Sequence, residues 1–334
     1  MKMSMHKGCD MREITYREAL REALREEMLR DENVFIAGED VGIYGGAYAV
    51  TKGLYEEFGE ERVKDTPISE AAIVGLGTGA ALIGLRPVIE IMYIDFTTLA
   101  MDQIVNQAAK FHYMSGGNVK VPWVLRTQGG AGRSGAAQHS QSLESWFVHI
   151  PGLKVIAPST PYDAKGLLKS AIRDDNPIIF IEHKMLYNKK GPVPEEEYTI
   201  PIGKGVIIKE GKDVTIISYS KILDEVIDAE KELKKEGIDV EIIDLRTLKP
   251  MDFEIIFESI KKTSHLVIVE EDHYTLGVGA EIGARVSEYM IEYLDGPIVR
   301  VGSLDVPIPA ARKLEKVVIP DKTRIIEGVK KTLR

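Results

Sequence analysis

The feature that most constrains this chain is an alternation. Short, unbroken apolar runs are separated by longer stretches whose apolar residues recur at helical spacing. The runs "NVFIAGED", "RPVIEIM", "VPWVLRT", "LKVIAP" and "PIIFIEH" show no polar alternation. Strands of that kind are buried on both faces, which requires a parallel sheet covered by helices on each side. Helical stretches fall between them at about 70–84, 95–113 and 161–173. Upstream, Thr15 and Glu18 have the spacing of a capping box. An apolar stripe of Leu20, Leu24 and Met28, flanked by Ala19 and Ala23, follows it at helical period.

The tract "NKKGPVPEEEYTIPIGKG" interrupts this pattern with prolines and three consecutive glutamates, and places a domain boundary near 190–205. A second series follows, with strands "DVTIISY", "DVEIIDL", "HLVIVEE" and "PIVRVG". Its helices lie at about 221–236, 252–262 and 279–294, and "PDKTRIIEGVKKTL" closes the chain. At 334 residues, two cores of about 150 residues are the natural division. The expected fold is α/β with two parallel-sheet domains. Residues 11–190 and 205–334 form them, 191–204 is a linker, and 1–10 are a disordered extension.

Composition excludes several classes. With 52 acidic against 43 basic side chains the net charge is -9, unlike proteins that bind nucleic acid or anionic membranes. The lone cysteine, Cys9, supports neither a disulfide framework nor a thiolate metal site, and suits a reducing cytoplasm. No window reaches the ~18 apolar residues of a membrane span. The opening "MKMSMHKGCD" is too polar for a signal-peptide core, and patterned sequence begins at Met11.

Taken one at a time, the motifs are weak. Gly75, Gly77 and Ala80 match G-x-G-x-x-A, and Glu90 ends the next strand as a ribose-binding acid would. The interval from Gly75 to Glu90 is 15 residues, short of the usual ~20, and no clean strand leads into the first glycine. Close helix packing explains these glycines better. Gly129, Gly130, Gly132 and Gly135 form a second cluster, but Ala136 stands where a Walker loop needs lysine, and "GRSGA" lacks the last glycine of a nucleophile elbow. They read as a mobile surface loop leading to His139. No histidine pair has H-E-x-x-H spacing. Alone, His139 reads as structural, Glu70 as an acid at a helix N-terminus, and Tyr93 and Phe96 as core aromatics.

Together the strings say more. "GEDVGIYGGAY", "RVKDTPISEAAIVGLGTGAALIGLRPVIEIM", "AAQHSQSLESWFVHIPGLKVIAPSTPYDAKGLL" and "SAIRDDNPIIFIEHKMLY" occur in order, and "IDLRTLKPMD" continues them. From about Met11 onward the chain resembles the β subunit of the thiamine-diphosphate-dependent first component of 2-oxo acid and acetoin dehydrogenase complexes. That resemblance implies a transketolase-like fold, a pyrimidine-binding domain followed by a transketolase C-terminal domain. It implies that Glu70 hydrogen-bonds an aminopyrimidine nitrogen and favours the imino tautomer, which removes the thiazolium proton. Phe96 would stack on the pyrimidine, with Ile68 and Met92 beside it. His139 would handle protons as the acyl group passes to lipoyl. "SAIRDDNP" resembles a potassium loop, in which carbonyls of Trp123, Ala171, Ile172, Asp174 and Asn176 would hold the cation.

The metal motif of such enzymes, Gly-Asp-Gly with a downstream asparagine, is missing: no "GDG" occurs in the chain. The resemblance then implies half a cofactor site. A separate α subunit would hold Mg²⁺ and the diphosphate, in a heterotetramer of two α and two β chains that serves a lipoyl-bearing acyltransferase core. "EIMYIDFTTLAMDQIVNQAAK", "STPYDAKGLL" and "LDVPIP" favour acetoin as substrate, with pyruvate or a branched-chain 2-oxo acid as the alternative. An NAD-dependent dehydrogenase built on Gly75, Gly77 and Ala80 is the remote alternative. Glu70, Phe96 and His139 argue against a non-catalytic scaffold.

Overall fold

In the computed structural model, which describes residues 11–334, β1 (Met11–Thr15) ends at the expected cap. The Thr15 hydroxyl accepts from the Glu18 N–H at 3.3 Å, while the Thr15 N–H donates to the Glu18 carboxylate at 2.7 Å. Two orphan donors are satisfied, and α1 (Tyr16–Arg30) begins, burying Leu20, Leu24 and Met28. The expected extension, residues 1–10, lies outside the described residues.

The chain divides into two units. The first comprises residues 11–129 and Trp146–Ile202. After α1 come β2 (Val34–Gly38), α2 (Leu54–Phe58), β3 (Val63–Asp65), α3 (Glu70–Leu82) and β4 (Arg86–Ile91). Next are α4 (Ala109–Met114), β5 (Val124–Gly129), α5 (Glu144–His149), β6 (Lys154–Ile156) and α6 (Pro161–Arg173). The series closes with β7 (Ile178–His183) and β8 (Lys190–Pro194). The strands of this unit's parallel sheet lie in the order β6-β7-β5-β4-β2-β3. Val34, Ile36, Val88, Val124, Ile178 and Phe180 supply its core.

Two local readings differ from the sequence expectation. The helix expected over 95–113 is a 3₁₀ turn (Ile94–Ala100), a π-helical stretch (Gln103–Ala108) and then α4. The Thr97 and Thr98 hydroxyls donate to the Ile94 and Asp95 carbonyls, an i−3 pattern that matches the tighter turn. Residues 191–194, expected to open the linker, form β8 together with Lys190, and this strand pairs antiparallel with β1. A two-stranded ribbon tolerates Pro192 and Pro194 because each strand has a free edge.

The second unit comprises Gly130–Ser145 and Gly203–Arg334. It contains β9 (Val206–Lys209), β10 (Val214–Ser218), α7 (Leu223–Lys235), β11 (Val240–Asp244), the short β12 (Thr247–Lys249) and α8 (Phe253–Thr263). Then follow β13 (Leu266–His273), α9 (Val278–Met290), β14 (Val299–Ser303), α10 (Arg312–Val318) and α11 (Lys322–Thr332). Its sheet runs β14-β13-β10-β11-β9, parallel except for β9. Residues 130–145 cluster with this unit. No helix among the described residues is long and apolar enough to cross a membrane.

Candidate active site

In the first unit the chain leaves β2 for β3 on one side and β4 on the other. An open parallel sheet forms its binding crevice at such a reversal, outside the carboxyl ends of the strands. Glu39 follows β2 there, Met92 and Tyr93 follow β4, and Glu70 is the first residue of α3. Glu70 is buried, at 8% exposure, and Ser69 gives α3 no side-chain cap. No hydrogen bond from the described residues reaches the Glu70 carboxyl. Burying an acid without a donor is costly, although the helix dipole offsets part of that cost. The carboxyl is therefore free to engage a ligand nitrogen.

Met92 and Phe96 are half-buried, and the Phe96 ring meets Tyr93 edge-on with centroids 6.0 Å apart. Ile68 is 80% exposed. Tyr93 has φ +71°, a left-handed conformation that costs a non-glycine residue about 1–3 kcal/mol. A buried network holds it. The Tyr93 N–H donates to Gln128 Oε1 at 3.1 Å, and Gln128 Nε2 donates to Glu90 Oε1 at 3.3 Å. Arg126, fully buried, donates to Glu90 at 2.6 Å and in bidentate fashion to Glu182 at 2.7 and 2.9 Å. Burial works against the Arg126 charge, but Glu182 and Glu90 outweigh it and hold the guanidinium protonated. Burial raises the Glu39 carboxyl, and Glu70, Asp40 and Glu90 raise it further. The sequence reading missed Glu39, Arg126, Gln128 and Glu182. The only signals were a "GED" at a strand end and an arginine inside an apolar run.

The nucleotide reading fails on geometry. Gly75, Gly77 and Ala80 lie within α3, not in a turn between strand and helix. A Cβ on Gly77 would sit 2.9 Å from Ile89 Cγ2, so this glycine serves close packing of helix on sheet. Glu90 is 3% exposed and committed to Arg126 and Gln128, not presented to a ribose.

His139 lies in the segment belonging to the second unit and is half-buried. The expected mobile loop is instead tied down. The N–H groups of Ala131, Gly132 and Ser134 donate to carboxylates of Glu271 and Glu315, and Gly130 N–H donates to the Gln141 carbonyl at 3.0 Å. Near the end of this segment, Glu144 is buried with Glu270, Asp272 and Tyr219. Burial raises the Glu144 carboxyl well above the usual range, and Asp272, Glu271 and Glu270 add to the shift.

The five residues of the cation loop belong to the first unit. The Ile172 and Asp174 carbonyls accept from Arg86 Nη1 at 3.0 and 3.1 Å, Ala171 O from Asp174 N–H at 3.2 Å, and Trp123 O from Ile178 N–H at 3.0 Å. Each keeps one lone pair, so the loop fits a cation in part, beside a guanidinium already present. Asn176 instead donates to Asp174 Oδ1 through its backbone and side-chain nitrogens. Among the described residues, no group of three or more His, Cys, Asp or Glu side chains is placed to hold a metal ion.

Comparison with known proteins bears on the family and the fold. Residues 12–190 match the transketolase pyrimidine-binding domain family, and residues 203–325 the transketolase C-terminal domain family. The chain is 51% identical over 319 residues to "Pyruvate dehydrogenase E1 component subunit beta" of Rickettsia felis, covering 96% of this chain and 98% of that one. It is 50% identical over 324 residues to the protein of the same name from Rhizobium meliloti, covering 97% and 70%. To the mitochondrial protein of Dictyostelium discoideum it is 48% identical over 324 residues, covering 96% and 91%. A solved structure described as a split-gene transketolase, inactive beta4 tetramer, superposes with a TM-score of 0.79 at 24% identity, covering 96% of this chain and 98% of that one, which supports the fold.

Proposed function

Because this chain belongs to the family of β subunits of the dehydrogenase (E1) component of 2-oxo acid dehydrogenase complexes, we propose that it supplies the pyrimidine-binding half of a thiamine diphosphate site. The observation that carries the proposal is Glu70, buried at a sheet reversal with no donor to its carboxyl among the described residues. When bound, thiamine diphosphate supplies a carbon nucleophile that acts as an electron sink. Glu70 holds a proton at the pyrimidine ring nitrogen, and the dry surroundings strengthen that hydrogen bond. Phe96 would stack on the ring, with Met92 and Ile68 beside it. The Gln128–Glu90–Arg126 network fixes the Tyr93 turn on which Met92 and Phe96 depend. His139 moves protons during acyl transfer to lipoyl.

The substrate proposed is a 2-oxo acid, with pyruvate first because the similar proteins carry that name. The acetoin preference rested on segment likeness alone and takes second place. An α subunit is the proposed partner, completing a two-α, two-β tetramer and holding Mg²⁺ and the diphosphate, since no "GDG" occurs here. A lipoyl-bearing acyltransferase core receives the product. Potassium at the 171–176 loop is a structural accessory, and the compartment proposed is the cytoplasm.

Glu70→Gln tests the reading in the reconstituted tetramer. Its amide cannot share a proton with the ring nitrogen in the same way, and turnover should fall by about 10²–10⁴-fold. Assays use pyruvate, branched-chain 2-oxo acids and acetoin in parallel. Turnover close to wild type on every substrate would remove Glu70 from the mechanism.

A further inference from the structure

The loop that delivers His139 is gripped by acidic side chains distant in sequence. We propose that Glu315, assisted by Glu271, is a positioning residue for His139. Through it the C-terminal domain controls acyl transfer; the inference rests on the role of His139 given above. Glu315 lies on α10 and is 1% exposed. It accepts from Gly132 N–H at 2.7 Å and from Ser134 N–H at 3.2 Å to each oxygen. Glu271 accepts from Ala131 N–H at 2.6 Å. The backbone is shaped for this grip. Gly130, Gly132, Ser134 and Ala136 all have positive φ, and left-handed residues interspersed in a turn gather N–H groups into a concave nest for an anion. Here the anion is part of the protein.

Other features hold His139 to that nest. Ala131 is buried with Ile308 and Val318, and His139 N–H donates to the Ala136 carbonyl at 3.3 Å. A Cβ on Gly135 would sit 3.0 Å from Ser140 Oγ and 3.2 Å from His139 Cβ, so the turn before the histidine admits no larger residue without movement. An apolar plug would also anchor a loop. A buried carboxyl does more, because opening the loop strips it of the Gly132 and Ser134 N–H donors, which disfavours the open state. Small misplacements of a proton-transfer group cost large factors in rate. The grip therefore matters for the step that uses His139 and not for the steps that use Glu70.

The experiment separates these steps in the assembled enzyme. Cleavage of the 2-oxo acid is followed with an artificial electron acceptor, and acyl transfer is followed on a free lipoyl domain, for wild type, Glu315→Gln, Glu271→Gln and His139→Ala. Glu315→Gln should lower acyl transfer at least tenfold and leave acceptor-linked cleavage within twofold. In hydrogen exchange, the Ala131, Gly132 and Ser134 amides should be protected in wild type and exchange at least tenfold faster in Glu315→Gln. Should Glu315→Gln fail to assemble, Glu271→Gln, which weakens the Ala131 N–H bond and leaves Glu315 in place, must show the same split with a smaller drop. Normal acyl transfer in His139→Ala would overturn the role of that histidine, and the proposal with it. Impaired His139→Ala beside normal Glu315→Gln, equal losses in both assays, or unprotected loop amides in wild type would overturn the positioning role alone.

Discussion

Glu70 and Glu270 are both buried carboxyls at helix N-termini, yet their surroundings assign them different work. Glu270 Oε2 accepts from Gly279 N–H at 2.8 Å, in the first turn of α9. Burial, reinforced by Asp272, nevertheless pushes its carboxyl from 4.5 up to about 7. Between those values the folded chain holds a proton that the unfolded chain has released, so stability falls as pH rises through that window. A shift of that size is worth about 3 kcal/mol at most. In Glu270→Gln the amide oxygen still accepts from Gly279, but nothing titrates. The variant should therefore lose less stability than wild type between pH 5 and 7.5, read as urea midpoints. Some slope should persist, because Glu144 and Asp272 are raised in the same sense. A variant that loses as much as wild type would show that Glu270 is not the titrating group.

On the scale of elements, α3 shows two kinds of glycine in one helix. Gly77 faces β4, where an added Cβ would meet buried Ile89, whereas Gly79 has nothing within 4 Å of its Cβ position. Gly79→Ala should stabilise the isolated chain by about 0.5–1 kcal/mol through helix propensity. Gly77→Ala should destabilise it by about 1 kcal/mol or more, because overpacking outweighs that gain. Denaturant unfolding decides between them, and equal changes of the same sign would mean that packing does not distinguish the two faces. The same contrast explains what could be read in advance. Strands β2, β4, β7, β10 and β11 were legible because burial on both faces leaves an unbroken apolar run. The β1–β8 ribbon was not, since its prolines imitate a linker. Nor was the grip on the 130–136 loop, for Gly132 and its acceptor Glu315 are 183 residues apart and no local pattern links them.

For the whole molecule, the question is how much of a cofactor site one chain can carry. The proposed site residues Glu70, Ile68, Met92, Phe96 and His139 come from ordered motifs taken together. The Arg126–Glu90–Glu182 network stayed hidden because a buried arginine inside "VPWVLRT" gives no periodic signal. What this chain lacks follows from charge. A diphosphate needs cationic partners when it leaves water, and a chain of net charge -9 without the Gly-Asp-Gly clamp offers poor ones. The isolated chain with Mg²⁺ should therefore bind thiamine diphosphate more weakly than a Kd of about 1 mM, or about −4 kcal/mol. Adding the α partner should bring binding into the micromolar range, about −8 kcal/mol. Calorimetry on the chain alone, the partner alone and the mixture checks this directly. Glu70→Gln in the mixture should lose turnover while retaining most of that affinity, if the diphosphate end is held by the partner as proposed. Micromolar binding to the isolated chain would mean that the phosphate-binding half resides here too, and that this molecule does not divide its site with a partner.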